Sequence, residues 1–293
     1  MVELARLERV YGGNVIVGSN PTPSARNYLP IYIYCYTGLR TMLSPSLNFI
    51  SKKALNEFRA VIENLPSQVE LFIVGGSIRN AIYRELFGQI LPQRDYDQVA
   101  TSQSLAYLEY LKSMEFHLGK IDRPTQKVYI KDLSKNPKPD SYDDYLVFDI
   151  HTMDGTTILE NLSMSSGFTI NGFALPARKA LDKDWMDHII QLPGALNDMQ
   201  NKQLKVNLEG YKEQPSNLFA GIRFMSLGFK QPSQNEITLL LNEMRNTTPE
   251  RYEKGISKVW NYVGGEAKAK DLVKQLGINF DIFNREELLK NIE

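Results

Sequence analysis

Apolar positions along this chain follow two periods, and the change between them separates an α/β front from a helical back. Leu55, Phe58, Val61, Ile62 and Leu65 recur at helical spacing until Pro66 ends the run. Leu71-Phe72-Ile73-Val74 then reads as a strand, Gly75-Gly76-Ser77 as a turn, and Ile78, Ile82, Leu86 and Phe87 as the apolar side of a second helix. The pattern predicts a further helix from about Ser102 to Met114 and strands over Lys127–Lys131 and Tyr145–Ile150. Between those strands, Asp132–Asp144 is polar, contains two prolines and reads as a loop. Beyond Pro176 strand signals fade, and helical patterns occupy 215–229, 234–245, 249–263 and 266–276. Neither an internal repeat nor a low-complexity segment interrupts them.

Composition narrows the class. The chain has 293 residues, enough for two or three modest domains, with 42% apolar and 23% charged residues, as in ordinary globular proteins. The 34 basic residues balance the 34 acidic ones, so a nucleic-acid partner would need a local basic face. A lone Cys35 with His117, His151 and His188 excludes an internal disulfide and a Cys/His zinc cluster, and fits a reducing compartment. Tyr28–Leu39, the most apolar early stretch, is shorter than the roughly 20 residues that span a bilayer, and no basic leader precedes it. A cytoplasmic protein with no membrane partner is expected. Residues 1–50, with Gly12-Gly13 and an alternating Tyr32, Tyr34, Tyr36, form an N-terminal extension to which the pattern assigns no role.

The chemistry concentrates in three places. Glycines between a strand and a helix let backbone N–H groups approach an anion at the positive end of the helix, so Gly75, Gly76 and Ser77 could cradle a triphosphate. A tight turn needs glycine for steric reasons too, and there is neither a Walker A lysine nor a GxGxxG pattern. Asp95-Tyr96-Asp97 places two carboxylates on one side of an extended segment, and Gln98-Val99-Ala100-Thr101 suits a strand edge. A polar turn would explain those two aspartates alone. Asp149, however, interrupts the apolar run Val147-Phe148-Asp149-Ile150, where a buried carboxylate calls for a cation or a donor. Three such carboxylates beside a phosphate cradle could hold two divalent ions about 3.5–4 Å apart for in-line phosphoryl or nucleotidyl transfer.

The residues LFIVGGSIRNAIYRELFG followed by RDYDQVAT (Leu71–Thr101) resemble the glycine turn and paired-aspartate motif of the class II CCA-adding enzyme and bacterial poly(A) polymerase family, within the polymerase β-like nucleotidyltransferases. VFDIHT at Val147–Thr152 resembles that family's third-carboxylate strand, and GFTINGFAL at Gly167–Leu175 its RRDFTINA motif. Pro193–Val206 with AGIRFMSLGF at Ala220–Phe229 is similar to the neck, and Thr247–Val259 to a body helix, all in the family's order across about residues 55–265.

This resemblance implies an α+β architecture, a nucleotidyltransferase palm of mixed sheet and helices followed by a helical neck and body. The implied bounds are 51–176 for the catalytic head, 177–230 for the neck and 231–293 for a short body. It further implies that Asp95, Asp97 and Asp149 bind two Mg2+ ions and are catalytic. Gly75, Gly76, Ser77, Arg79, Asn171 and Arg223 would contact the nucleoside triphosphate, ATP or CTP, and the acceptor would be an RNA 3′ end, tRNA being the most familiar case.

The chain departs from the family at Asn80, where aspartate is usual, and at Ser166-Gly167, which replace an arginine-aspartate pair. In the run Gln214–Phe224, family-like DPLRLLRAVRF, only Arg223 remains of the arginines. Neither a base-selecting EDxxR element nor a tail domain is recognisable. Transfer to a protein or small molecule, and a non-catalytic RNA- or protein-binding role, therefore stand as alternatives.

Two groups of cations could neutralise phosphates: Lys120, Arg123, Lys127, Lys131, Lys135 and Lys138, and Lys254, Lys258, Lys268, Lys270 and Lys274. They alternate with acids, as a solvated surface does, and no aromatic-basic stripe stands out. Trp185 and Trp260 read as packing residues, and His151 as a strand-end residue.

Overall fold

A computed structural model describes residues 52–91, 95–119, 126–133, 145–152 and 156–292. The extension 1–50, residues 134–144 of the loop expected over Asp132–Asp144, and the cations Lys120, Arg123, Lys135 and Lys138 lie outside them.

The front half alternates helices with strands as its apolar period alternates. Helix α1 (Lys52–Glu63) leads to β1 (Glu70–Val74), and α2 (Gly75–Phe87) follows with no intervening turn. The chain continues through β2 (Tyr96–Ser102), α3 (Ser104–Ser113), β3 (His117–Leu118), β4 (Gln126–Asp132) and β5 (Tyr145–Thr152). Next come α4 (Ile158–Ser165), β6 (Phe173–Pro176), β7 (Ile190–Gln191) and α5 (Ala195–Gln200). Thr157 caps α4 with a side-chain bond from the Glu160 N–H, and Glu160 reaches back to the Thr157 N–H.

These strands form one seven-stranded sheet in the order β3-β4-β5-β2-β1-β6-β7. Only the β2/β5 pair is parallel; the other pairs are antiparallel. The sequence suggests a strand edge around Gln98–Thr101, but β2 is the sheet's central strand, with Gln98, Val99 and Ala100 buried. The Oε1 of the buried Gln98 accepts the Tyr107 hydroxyl at 2.6 Å.

Side chains alternate across the parallel pair, and this positions the site. Tyr96 and Phe148 turn toward α1, where the Phe58 ring lies 5.2 Å from Tyr96 and 6.0 Å from Phe148, centroid to centroid. The intervening Asp97 and Asp149 therefore project from the opposite face.

The back half is helical: α6 (Asn217–Met225), α7 (Gln234–Met244), α8 (Pro249–Val263), α9 (Glu266–Gln275) and α10 (Arg285–Asn291). The helix expected over 215–229 is shorter, since the backbone turns through Gly228 at φ +83°. Gly255 lets α8 close onto α6: a Cβ there would lie 2.6 Å from Cδ2 of Phe219. Buried Tyr252, Ile256, Val259 and Val263 form the apolar stripe of α8. Among the described residues, no helix is long and apolar enough to cross a membrane.

Candidate active site

Asp97 and Asp149 are Cα partners across the parallel β2/β5 pair, so the sheet register alone brings the two carboxylates side by side. Asp95 precedes β2 on the same side. One ligand oxygen from each of the three residues lies within 4.8 Å of the others, with Asp95 exposed and the other two half-buried. The donor set suits a hard divalent cation, which prefers carboxylate oxygens.

Two contacts orient these groups. The Gly76 N–H, in the first turn of α2, donates to Asp97 Oδ2 at 2.9 Å. Gly75 takes φ +62°, and a Cβ there would meet the same oxygen at 2.5 Å, so glycine is required both by conformation and by space. Asp149 accepts from Gln126 Nε2 at 2.7 Å on both of its oxygens. Nothing in sequence spacing identifies Gln126, which reaches Asp149 across the antiparallel β4/β5 ladder.

Asp97 is pushed up to about 7, by burial first and then by the charge of Asp95; the Gly76 N–H opposes the shift and Asp149 adds to it. Converging carboxylates that repel one another are what a divalent cation neutralises, and the residues present fit one.

Arg79 lies beyond the carboxylates and is firmly held. Its Nη1 donates to Asn171 Oδ1 at 2.8 Å, its Nε and Nη2 donate to Asn80 Oδ1 at 3.1 and 2.8 Å, and its guanidinium carbon sits 5.0 Å from the Phe224 ring centroid. Burial and the nearby positive charge of Arg223 hold Arg79 down to about 10, so it remains a cation at neutral pH. Asn80, where the family pattern has aspartate, thus serves as a neutral acceptor for Arg79. The Ser77 side chain is fully buried, and its hydroxyl donates to the Val74 carbonyl at 2.8 Å.

Gly167 and Asn217 explain two departures together. The buried Asn217 fills the space a side chain at 167 would need, since a Cβ there would lie 1.9 Å from Asn217 Nδ2.

The basic groups resolve unevenly. Lys131 pairs with Glu57 at 2.8 Å, and Lys270 with Glu266 and Asp281 at 2.8 and 2.9 Å, so neither is an open phosphate contact. A second acidic group, Asp182, Asp184 and His188, also converges, but Lys179 already neutralises Asp182 at 2.9 Å.

No protein-family model and no curated protein sequence matches this chain. Solved structures do. A Thermotoga maritima CCA-adding enzyme complexed with tRNA superposes with a TM-score of 0.60 and 22% identity over 79% of this chain and 52% of that one. A CCA-adding enzyme in complex with ATP gives 0.59 and 21%, over 78% and 53%. A tRNA nucleotidyltransferase with a primer tRNA and an incoming ATP analogue gives 0.53 and 17%, over 74% and 58%. The chain spans about half the length of the first two. It has the fold of the CCA-adding nucleotidyltransferases, a mixed sheet with helices followed by a helical segment.

Proposed function

We propose, from the premise that this chain carries the CCA-adding nucleotidyltransferase fold, that it transfers a nucleoside monophosphate from a nucleoside triphosphate to an RNA 3′ end without a template. The observation that carries this reading is the convergence of Asp95, Asp97 and Asp149 within 4.8 Å at the start of α2.

Asp95, Asp97 and Asp149 would hold the metal. Divalent cations bound there, two Mg2+ in this reading, supply Lewis-acid activation of the acceptor hydroxyl and charge neutralisation of the departing pyrophosphate. The protein's own groups orient that centre: the Gly76 N–H fixes Asp97, Gln126 fixes Asp149, and Arg79 presents a positive charge locked by Asn80 and Asn171. ATP or CTP is the expected donor and the 3′ end of tRNA the acceptor of first choice. Residues 51–176 would form the head, 177–230 the neck and 231–293 the body of a cytoplasmic enzyme.

The test is incubation of the protein with each labelled nucleoside triphosphate, Mg2+ and total tRNA, read on a denaturing gel. Label on RNA that vanishes in an Asp95→Ala/Asp97→Ala variant is the expected result; no transfer to RNA overturns the reading. The Gly167–Asn217 pair favours a second possibility, transfer to a protein or small-molecule acceptor, because it removes two charged residues of the family's nucleotide-contacting motifs. Label on the protein itself would support that alternative.

A further inference from the structure

Helices α6 and α8 bring an arginine and a tyrosine together within electrostatic reach of Arg79. Gly255 seats α8 against Phe219; one turn beyond Phe219 is Arg223, and two turns beyond Gly255 is Tyr262. The Arg223 guanidinium carbon consequently lies 5.9 Å from the Tyr262 ring centroid. Tyr262 stands outside the buried stripe of its helix, with 38% of its surface exposed. Core packing alone does not call for a large ring at the rim of α8.

Arg223 is equally unusual. Burial lowers its basicity, yet among the described residues no carboxylate or hydrogen-bond acceptor engages its guanidinium. Arg79, which acts electrostatically on both Tyr262 and Asp97, spends its donors on Asn80 and Asn171. Two partly desolvated cations and an exposed aromatic ring thus lie together, and Arg79 connects them to Asp97. A flat, electron-rich, anionic ligand suits both: an aromatic ring offers a stacking surface that any base can use, and an adjacent arginine adds cation–π attraction and a phosphate contact.

We propose that Tyr262 is the stacking platform for a nucleobase at this site, with Arg223 beneath or beside the base as its cationic partner. The proposal rests on the nucleotidyl-transfer reading and adds to it a residue from the helical half that selects ligands carrying a base over bare phosphate chains. The base can belong to the incoming nucleotide or to the terminal residue of the RNA.

Binding of ATP, of inorganic tripolyphosphate and of a short single-stranded RNA oligonucleotide to the full chain in Mg2+ separates these possibilities. Wild type is compared with Tyr262→Ala, Tyr262→Leu and Tyr262→Phe, the leucine keeping apolar bulk without a π-face should the alanine variant fail to fold. The alanine and leucine variants are expected to weaken ATP, the oligonucleotide or both by about tenfold, leaving tripolyphosphate unchanged, while phenylalanine binds like wild type. Loss confined to ATP assigns the base to the incoming nucleotide, and loss confined to the oligonucleotide assigns it to the acceptor end. Folded variants that bind all three like wild type, that lose tripolyphosphate equally, or a phenylalanine variant that fails to restore binding, overturn the platform alone. Wild-type protein that binds neither ATP nor the oligonucleotide overturns the nucleotidyl-transfer reading as well.

Discussion

Gly167 lacks a side chain where Asn217 supplies one: a Cβ on Gly167 would fall 1.9 Å from Asn217 Nδ2 and 2.3 Å from its Cγ. Asn217 is 3% exposed and starts α6, so it has little room to withdraw. The two positions are coupled by volume. Gly167→Ala should cost about 1–3 kcal/mol of stability by overpacking, and Gly167→Asp at least as much. Combining either with Asn217→Gly should recover most of that loss, a non-additivity that urea unfolding of the double-mutant cycle measures directly.

Asp97 makes the metal-free protein sensitive to pH in an unusual direction. Its carboxyl is pushed from 3.8 up to about 7, chiefly by burial and by Asp95, so the folded state holds a proton that the unfolded chain releases. A raised carboxyl pKa opposes folding wherever the group must ionise, so stability should fall as pH rises from about 4 to about 7 and then level off. Asp97→Asn removes this dependence while retaining an oxygen for the Gly76 N–H. In chelator, the variant should exceed wild type by on the order of 2–4 kcal/mol at pH 8 and by less at pH 5, as urea titrations at the two pH values would read.

Gln126 bridges both oxygens of Asp149 at 2.7 Å and so acts on the site through a carboxylate. Groups that orient metal ligands typically cost about 10–100-fold in metal affinity or activity when removed. Gln126→Leu should raise the Mg2+ concentration needed for half-maximal nucleotide transfer by that order and leave the fold's cooperative melt in place. Unchanged Mg2+ dependence would show that Asp149 is oriented by the sheet alone.

The sequence disclosed the carboxylates more readily than their surroundings, for a physical reason. Asp149 stands out because a charge interrupts an apolar strand, and Asp95 and Asp97 because alternate residues of an extended segment share a side; both signals are local. Gln126 and Tyr262 carry no such signal. Gln126 is one polar residue on a strand, meaningful only through the β4/β5 register, and Tyr262 acquires its setting from Arg223 on another helix. The short strands β3 and β7 are only two residues each, too brief for any period to register. The bond from the Ser77 hydroxyl to the Val74 carbonyl likewise belongs to the fold and leaves no trace in any period of the sequence.

The adjacent glycines Gly75 and Gly76 offer the sharpest separation of backbone need from helix propensity. Gly75 combines φ +62° with a Cβ position 2.5 Å from Asp97 Oδ2, so Gly75→Ala both strains the backbone and displaces a carboxylate from the cluster. Gly76 has an ordinary helical backbone, and its Cβ would meet nothing nearer than 3.5 Å, at Asp97 Oδ2 and Arg79 Nη2. Alanine there gains the helix propensity that glycine lacks, about 0.5–1 kcal/mol, and keeps the N–H that holds Asp97. Gly75→Ala should therefore lose on the order of 1–2 kcal/mol or more, the cost of a left-handed non-glycine residue, and most of its nucleotide transfer. Gly76→Ala should melt at or above the wild-type temperature and retain transfer unless the nucleotide's phosphates pack against that position. Thermal melts and single-turnover transfer on the two variants decide the matter: equal losses in both would mean that close approach of a ligand, rather than backbone conformation, is why this chain keeps two glycines in succession.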